Sequence, residues 1–277
     1  MAAISAAQVK ALREQTGLPM MDCKQALSEC NGDAEAAVRW LRERGAQVLS
    51  KRSSRETAFG RFGIFASYDP PVGAMVELKC ESNPVAQNEE FIQLANDLAR
   101  QLATGPGAQT PDELLDQPSP SKAGVTLREQ KDDLFNRIRE VFNVERMVRV
   151  DGSCGGYGHN ASTIAGVLVE AVGGGPEVAK DVCMHIAAMR PLALSREDVD
   201  PAEIEKERSI LREAALKEGK PAAIVDKMVE GRLRNFFAEK VLLEQPFVKG
   251  DKETVGKMAE QKGMTIKRFV HWEIGQQ

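Results

Sequence analysis

Gly73-Ala74-Met75-Val76-Glu77 returns 93 residues later as Gly166-Val167-Leu168-Val169-Glu170, and the reading of the fold starts from that recurrence. At the same offset, without gaps, Val85-Ala86 meets Val178-Ala179 and Ala95 meets Ala188. Each copy reads as an apolar strand, a short connection and a helix. In the first copy Phe91, Leu94, Leu98 and Leu102 make a helical stripe; in the second Val178, Val182, Ile186 and Met189 do. The expectation is a duplicated α+β unit whose two strands in each copy pair as a hairpin, the first turning around Asp69-Pro70-Pro71. Between the copies, residues 105–124 are rich in Gly, Pro and Ser and read as loop. Residues 126–142 read as an amphipathic helix through Leu134, Phe135, Ile138 and Phe142.

Upstream of the repeat, residues 1–52 read as three short helices. Ser5 and Gln8 have capping-box spacing, Ile4 and Val9 suit a hydrophobic staple, and Gly17 offers a left-handed stop. A second helix runs from Pro19 through Met20, Cys23, Leu27 and Cys30 to a stop at Asn31-Gly32. Asp33 can cap the third, which carries Val38, Trp40 and Leu41 and is expected to stop near Gly45, leaving 50–57, with Lys51, Arg52 and Arg55, as a linker. So small a bundle buries little area and should be open to a partner.

The second copy is interrupted by a long helical segment. Asp200-Pro201-Ala202-Glu203 opens a helix, because Asp caps, Pro suits the first position and an acid opposes the helix dipole. Ile204, Leu211 and Ala215 face one way until Gly219, and a further helix from Pro221 carries Val225, Met228, Val229, Phe236 and Phe237. Two helices joined by Gly219-Lys220 must fold back as a hairpin over 201–243, suited either to self-association or to clamping another protein. The chain closes with a helix over 255–262 and a strand over 266–274, in which Arg268, Val270 and Trp272 alternate with Phe269, His271 and Glu273.

Composition narrows the function classes. With 277 residues, 42% hydrophobic and 28% charged, the chain is long enough for several compact units and ordinary for a globular protein. A formal charge of −4 argues against a dedicated nucleic-acid binder, which would show a basic excess. The start, MAAISAAQVK, lacks a secretory pattern, and no apolar run approaches the ~20 residues a membrane span requires. A cytoplasmic protein is expected, with no membrane contact. Cys23, Cys30, Cys80, Cys154 and Cys183 are odd in number and form no CxxC pair, so reduced thiols are expected, and the Asn160-Ala161-Ser162 sequon carries no meaning in that compartment.

A search for reaction chemistry returns little. His159, His185 and His271 are scattered, with no HExxH or GxSxG nearby. Residues 250–257 imitate a phosphate loop but place five residues between glycines and Met258 where a hydroxyl should stand. Gly173-Gly174-Gly175-Pro176 could offer N–H groups to an anion, although a tight strand-to-helix turn suits it better. Met20-Met21 reads either as core filler or as interface.

Longer motifs bring a resemblance. Thr16-Gly17-Leu18-Pro19-Met20-Met21-Asp22-Cys23-Lys24-Gln25-Ala26-Leu27 resembles the N-terminal signature of the elongation factor Ts family, and Met184-His185-Ile186-Ala187-Ala188-Met189 resembles its second-repeat helix. Glu218-Gly219-Lys220-Pro221, Lys227-Met228-Val229-Glu230-Gly231-Arg232 and Glu244-Gln245-Pro246-Phe247-Val248 are similar to its C-terminal run, so the likeness covers nearly the whole chain in the family's order. The resemblance implies an α+β multidomain protein. It comprises an N-terminal three-helix ubiquitin-associated-like domain (1–52), a core of two related α+β subdomains (53–145 and 146–277), and an antiparallel coiled-coil hairpin inserted at 195–247. It implies elongation factor Tu, GDP-bound and nucleotide-free, as the partner, with no cofactor and no catalytic group. A homodimer and a 2:2 complex with that partner both remain open.

By the same resemblance, Met20, Met21 and Lys24 lie against the partner's GTPase domain and the helix bearing His185 faces another partner domain. A short segment of the first subdomain pushes in near the partner's magnesium site. There the family's Thr-Asp-Phe-Val is replaced by Ser82-Asn83-Pro84-Val85, between Cys80 and Ala86. Serine keeps the hydroxyl, asparagine loses the charge, and proline replaces the aromatic wedge with a fixed backbone. The segment is expected to act by backbone displacement. A non-exchanging scaffold or chaperone of the same fold is the alternative, and an enzyme is a third class that the failed search for a site disfavours.

Overall fold

The structure, a computed structural model, describes residues 4–52, 54–161, 164–218, 221–250 and 253–275. It is a mixed α+β protein with two three-stranded sheets, and it divides into two compact units. The first holds the described residues up to Phe65, then Ala74–Arg149 and the chain from Ile274; the second holds Ala66–Gly73 and Val150–Glu273.

In the first unit, helices α1 (Ala6–Thr16), α2 (Met20–Glu29) and α3 (Ala34–Arg52) bury Val9, Leu12, Cys23, Ala26, Leu27, Ala37 and Leu41 together, with Ile4 against the cluster. The Ser5 capping box forms with Gln8, and Gly17 ends α1 at φ 69°. Asp33 Oδ1 accepts from Ala36 N at 3.1 Å. The stop expected near Gly45 does not occur, since α3 continues to Arg52 and shortens the expected linker, of which Ser53 lies outside the described residues. Gly45 is buried mid-helix because the Asn136 side chain rests where a Cβ would stand, 1.9 Å from Asn136 Oδ1. A glycine that admits a neighbour looks the same in sequence as one that ends a helix.

Strands β1 (Phe59–Tyr68) and β2 (Pro71–Cys80) are joined at Asp69-Pro70, and the sheet order is β1-β2-β3, with β3 at Asn143–Val150. Between β2 and β3 come α4 (Asn83–Ala86), α5 (Glu89–Thr104), α6 (Pro111–Leu115) and α7 (Leu127–Ile138). The stripe Phe91, Leu94, Leu98 and Leu102 is fully buried. The expected loop 105–124 contains α6, capped by Thr110, whose Leu114 and Leu115 are buried. The rest of it is tied down, since Ser121 donates to the buried Asp97 of α5, which also accepts from Gln130 of α7 at 2.9 Å. The helix expected over 126–142 ends instead at Ile138, because Arg139 turns left-handed, and Phe142 packs edge-on to Phe91 at 5.2 Å between centroids.

In the second unit, β4 (Cys154–Asn160) pairs antiparallel with β5 (Ile164–Gly173), and β5 with β6 (Met264–Glu273). Gly173, which ends β5, and Gly174 and Gly175 after it all adopt positive φ, and Pro176 opens α8 (Pro176–Met189). The buried face of α8 is Ala179, Val182, Cys183 and Ile186. Of the expected stripe, Val178 is only partly buried, and Met189 is exposed because the left-handed Arg190 ends the helix there. Helices α9 (Pro201–Lys217) and α10 (Ala222–Lys240) pack through Ala215, Val225, Val229 and Leu233, with Ile204, Leu211 and Phe237 at the margin. The turn expected at Gly219-Lys220 lies outside the described residues, as do Ser162 of the sequon and Asp251 and Lys252 of the loop-like stretch. Helix α11 (Val255–Gln261) precedes β6.

The alternation expected from Arg268 to Glu273 runs in unbroken register against β5, and a bulge precedes it. Arg268 pairs with Glu170 and Ile266 with Ala171, so Lys267 is an extra residue, and the inward face changes from Met264 and Ile266 to Phe269, His271 and Glu273. A one-residue slip exchanges the faces of a strand, and the bulge confines that exchange to one point.

Close approach of helix to sheet supplies a test. A Cβ on Gly63 of β1 would stand 1.7 Å from the Ala95 carbonyl oxygen of α5, a backbone atom that cannot rotate away. Gly231, inside α10, has open space around the same position. Gly63→Ala should therefore destabilise by about 1–3 kcal/mol or more, whereas Gly231→Ala should stabilise by about 0.5–1 kcal/mol. Urea unfolding of the two variants measures these opposite signs.

Candidate functional site

Residues 82–85 form one tight turn held at its base and open at its tip. Ser82 is extended (φ −136°), and Asn83 and Pro84 begin α4, where a missing proline N–H removes no helical bond. Ala86 N donates to Ser82 O at 3.3 Å, Gln87 N to Pro84 O at 3.2 Å and Asn88 N to Val85 O at 3.0 Å. The turn then stops because Asn88 is extended and its side chain caps the next helix, accepting from Glu90 N and Phe91 N at 2.9 and 3.2 Å. Asn83 and Pro84 are exposed, Val85 half-buried and Ala86 buried.

Side chains from elsewhere in the first unit hold the base. Ser82 N donates to Glu140 Oε2 at 3.0 Å and Ser82 Oγ to Glu140 Oε1 at 2.6 Å. Arg61 Nε of β1 donates to Ala86 O at 2.7 Å, and Glu81 accepts from Val141 N at 2.8 Å and from Arg55 Nη1 at 3.0 Å. Cys80 Sγ donates to Ser82 O at 3.3 Å. Burial, reinforced by the Glu140 charge, pushes the Cys80 thiol up to about 12, so it stays protonated and able to donate.

Met20, Met21 and Lys24 are exposed on α2, whose buried residues are Cys23, Ala26 and Leu27. The methionines are 49% and 72% exposed, which decides the question the sequence left open in favour of surface over core. Asp22, next after Met21, accepts from Arg139 Nη2 at 2.5 Å, and the Arg139 carbonyl accepts from Arg52 Nη1 of α3 at 2.8 Å.

His185 sits in the second unit and is fully buried. Its Nδ1 accepts from Val248 N at 3.3 Å, which leaves Nε2 to donate to Gln245 Oε1 at 2.9 Å. Gln245 in turn donates to Glu239 O at 2.6 Å, and Phe247 lies against the ring at 5.7 Å. Burial lowers the His185 pKa, and the bond to Gln245 opposes that shift. Val248, whose N–H His185 holds, and Met189, one helical turn further along α8, have exposed side chains.

The structure thus gathers the 82–85 segment into one turn and leaves the α2 residues exposed on one helix, both in the first unit, and encloses His185 in the second. Sequence reasoning missed Glu140, Arg139, Glu81, Arg61 and Gln245. All act on residues distant in the chain, and only Glu81, beside the segment, carried any local signal. A cleft of about 590 Å³ between α3 and α7 is lined by Arg42, Lys122, Glu129 and Asp133 among others, a mixture of signs that cannot select a phosphate. Among the described residues no helix is long and apolar enough to cross a membrane.

Comparison with known proteins follows the same direction. Residues 81–276 match the family model described as Elongation factor TS. Elongation factor Ts of Methylococcus capsulatus is 43% identical over 276 residues, covering 99% of this chain and 92% of that protein. Elongation factor Ts of Clostridium botulinum is 45% identical over 287 residues, 99% and 93% of the two chains, and that of Thioalkalivibrio sulfidiphilus 40% over 277 residues, 99% and 92%. With residues 81–276 matching that family model and likeness to these relatives along nearly its whole length, the chain belongs to the elongation factor Ts family.

Proposed function

We propose that this protein is a guanine nucleotide exchange factor of translation elongation, acting in the cytoplasm on GDP-bound elongation factor Tu and stabilising its nucleotide-free form. Family membership supports the partner, and the braced turn with exposed Asn83 and Pro84 supports the means. Only a difference in affinity for two partner states is required, so the action is protein binding and no covalent step. Displacing the partner's magnesium removes charge neutralisation from the GDP phosphates, and the nucleotide leaves. Proline at 84 presents a fixed backbone where the family carries an aromatic, so the turn intrudes by its main chain and its rigidity avoids an ordering cost on contact.

Met20 and Met21 give an adaptable apolar contact and Lys24 a point charge beside it, suited to the partner's GTPase domain. His185 serves the other contact indirectly, by fixing the 245–248 stretch and the end of α8 from beneath. In this reading, 1–52 is a ubiquitin-associated-like domain, 53–145 and 146–277 are related subdomains, and 195–247 is a coiled-coil hairpin. The assembly is a homodimer or a 2:2 complex with that partner. A non-exchanging scaffold is the second reading, favoured by the missing aromatic at position 84.

Two outcomes are expected. Release of labelled GDP from the cognate elongation factor Tu rises with added protein, and Asn83→Ala and Pro84→Ala each lower the maximal stimulated rate by about tenfold. Wild-type rates in both variants would remove the turn from the mechanism, and tight binding with no stimulated release would favour the scaffold.

The second concerns pH. The folded His185 titrates below its ordinary 6.5, so as pH falls the unfolded chain takes up that proton first. Stability is therefore complete above that value and is lost as pH drops through it toward the folded pKa, by up to about 1.4 kcal/mol per pH unit for this one proton. His271 is shifted the same way, mainly by burial. Thermal unfolding at several pH values should show His185→Gln less stable at neutral pH but with a shallower acid slope than wild type.

A further inference from the structure

We infer that the consecutive pair Arg139-Glu140 positions the exposed turn relative to the α2 face, so that the two candidate contact surfaces of the first unit are presented as one rigid body. In its rate arm the inference rests on the exchange reading; in its structural arm it stands alone.

Arg139 is left-handed (φ 68°, ψ 22°) and its N–H closes α7 on Phe135 O at 2.6 Å. A left-handed residue at a helix end turns the chain sharply, so the two side chains leave in different directions. Arg139 goes to Asp22, which is the neighbour of Met21 and two residues from Lys24. Glu140 goes to Ser82, which adjoins Asn83 and Pro84, and takes both its N–H and its hydroxyl. Both contacts are charge-assisted, and no more than one peptide bond separates their anchors.

The bond from Ser82 to Glu140 stands where a capping bond would otherwise be. A serine at the N-terminal cap ordinarily accepts from an N–H of its own helix. Ser82 occupies that place before α4 and makes no such bond, its hydroxyl being turned outward as a donor to Glu140 Oε1. The turn's orientation is therefore taken from the α7 terminus and not from its own capping.

Glu140 is a positioning residue on this account, and its hydrogen bonds matter more than its charge. Glutamine can reproduce both, accepting from Ser82 N–H through Oε1 and donating to Ser82 Oγ through Nε2. The experiment uses the full chain with Glu140→Ala, Glu140→Gln, Asp22→Ala, Arg139→Ala and the Asp22/Arg139 double variant. In the free protein, Glu140→Ala should speed hydrogen exchange of the Ala86, Gln87 and Asn88 amides by about tenfold while Glu140→Gln stays within about twofold of wild type. In GDP release from elongation factor Tu, Glu140→Ala should lower the saturated rate about tenfold and move the half-saturating concentration by less than about threefold, with Glu140→Gln restoring it. Asp22→Ala and Arg139→Ala should each raise the half-saturating concentration, and the double variant should do no more than either.

Unchanged amide exchange in Glu140→Ala overturns the inference. So does a glutamine variant as defective as the alanine one, which would make the carboxylate charge the active feature, and so does additivity of Asp22→Ala with Arg139→Ala. If wild type fails to stimulate release, the exchange reading falls on that result, while amide exchange still decides whether Glu140 sets the turn.

Discussion

A side chain other than glycine held at φ 68° is the constraint on which the first unit depends. Left-handed backbone costs an ordinary residue roughly 1–2 kcal/mol, and at Arg139 it is offset by the bond to Phe135 O, the ion pair with Asp22 and the bond from Arg52. Were α7 to run on to Phe142, as its apolar spacing invites, that ring would stay with the stripe of α7. Instead it lies edge-on to Phe91, Val141 is buried, and β3 begins at Asn143 beside β2.

The buried His185 and Asp97 are likewise committed to shape. His185 uses both ring nitrogens on Gln245 and Val248, and Asp97 gathers Gln93, Ser121 and Gln130 from one helix turn, a loop and α7. Burial raises the thiols of Cys80, Cys154 and Cys183 far from the thiolate range, which suits packing and weak donation and not nucleophilic work.

The repeat shows how far sequence carries. Its alignment at a fixed offset sets Asn83 opposite Pro176, the start of α8, and in the second unit one continuous helix follows from there. In the first unit the same stretch is broken at Gln87-Asn88 into α4 and α5, because Asn88 caps a new helix with its own side chain. That break projects Asn83 and Pro84 outward. Residue types at 82–88 contain the capping asparagine and the proline, but the carboxylate that orients them comes from 58 residues away.

By itself the sequence determined what short-range chemistry determines: the capping box at Ser5, the stops at Gly17 and Gly32, the Asp200 cap, the hairpin at Asp69-Pro70 and the buried stripe of α5. Each is decided by neighbours within a few residues. Its longer motifs also carried the family. Tertiary structure alone decided that Gly45 admits Asn136 instead of ending a helix, that Lys267 bulges to exchange the faces of β6, and that Glu140 reaches Ser82. The reason is common to all three. Whether a glycine is a stop or a seat, a strand regular or bulged, a carboxylate solvated or bonded, depends on which distant atoms occupy the adjacent space, and that is settled by packing and not by neighbours along the chain.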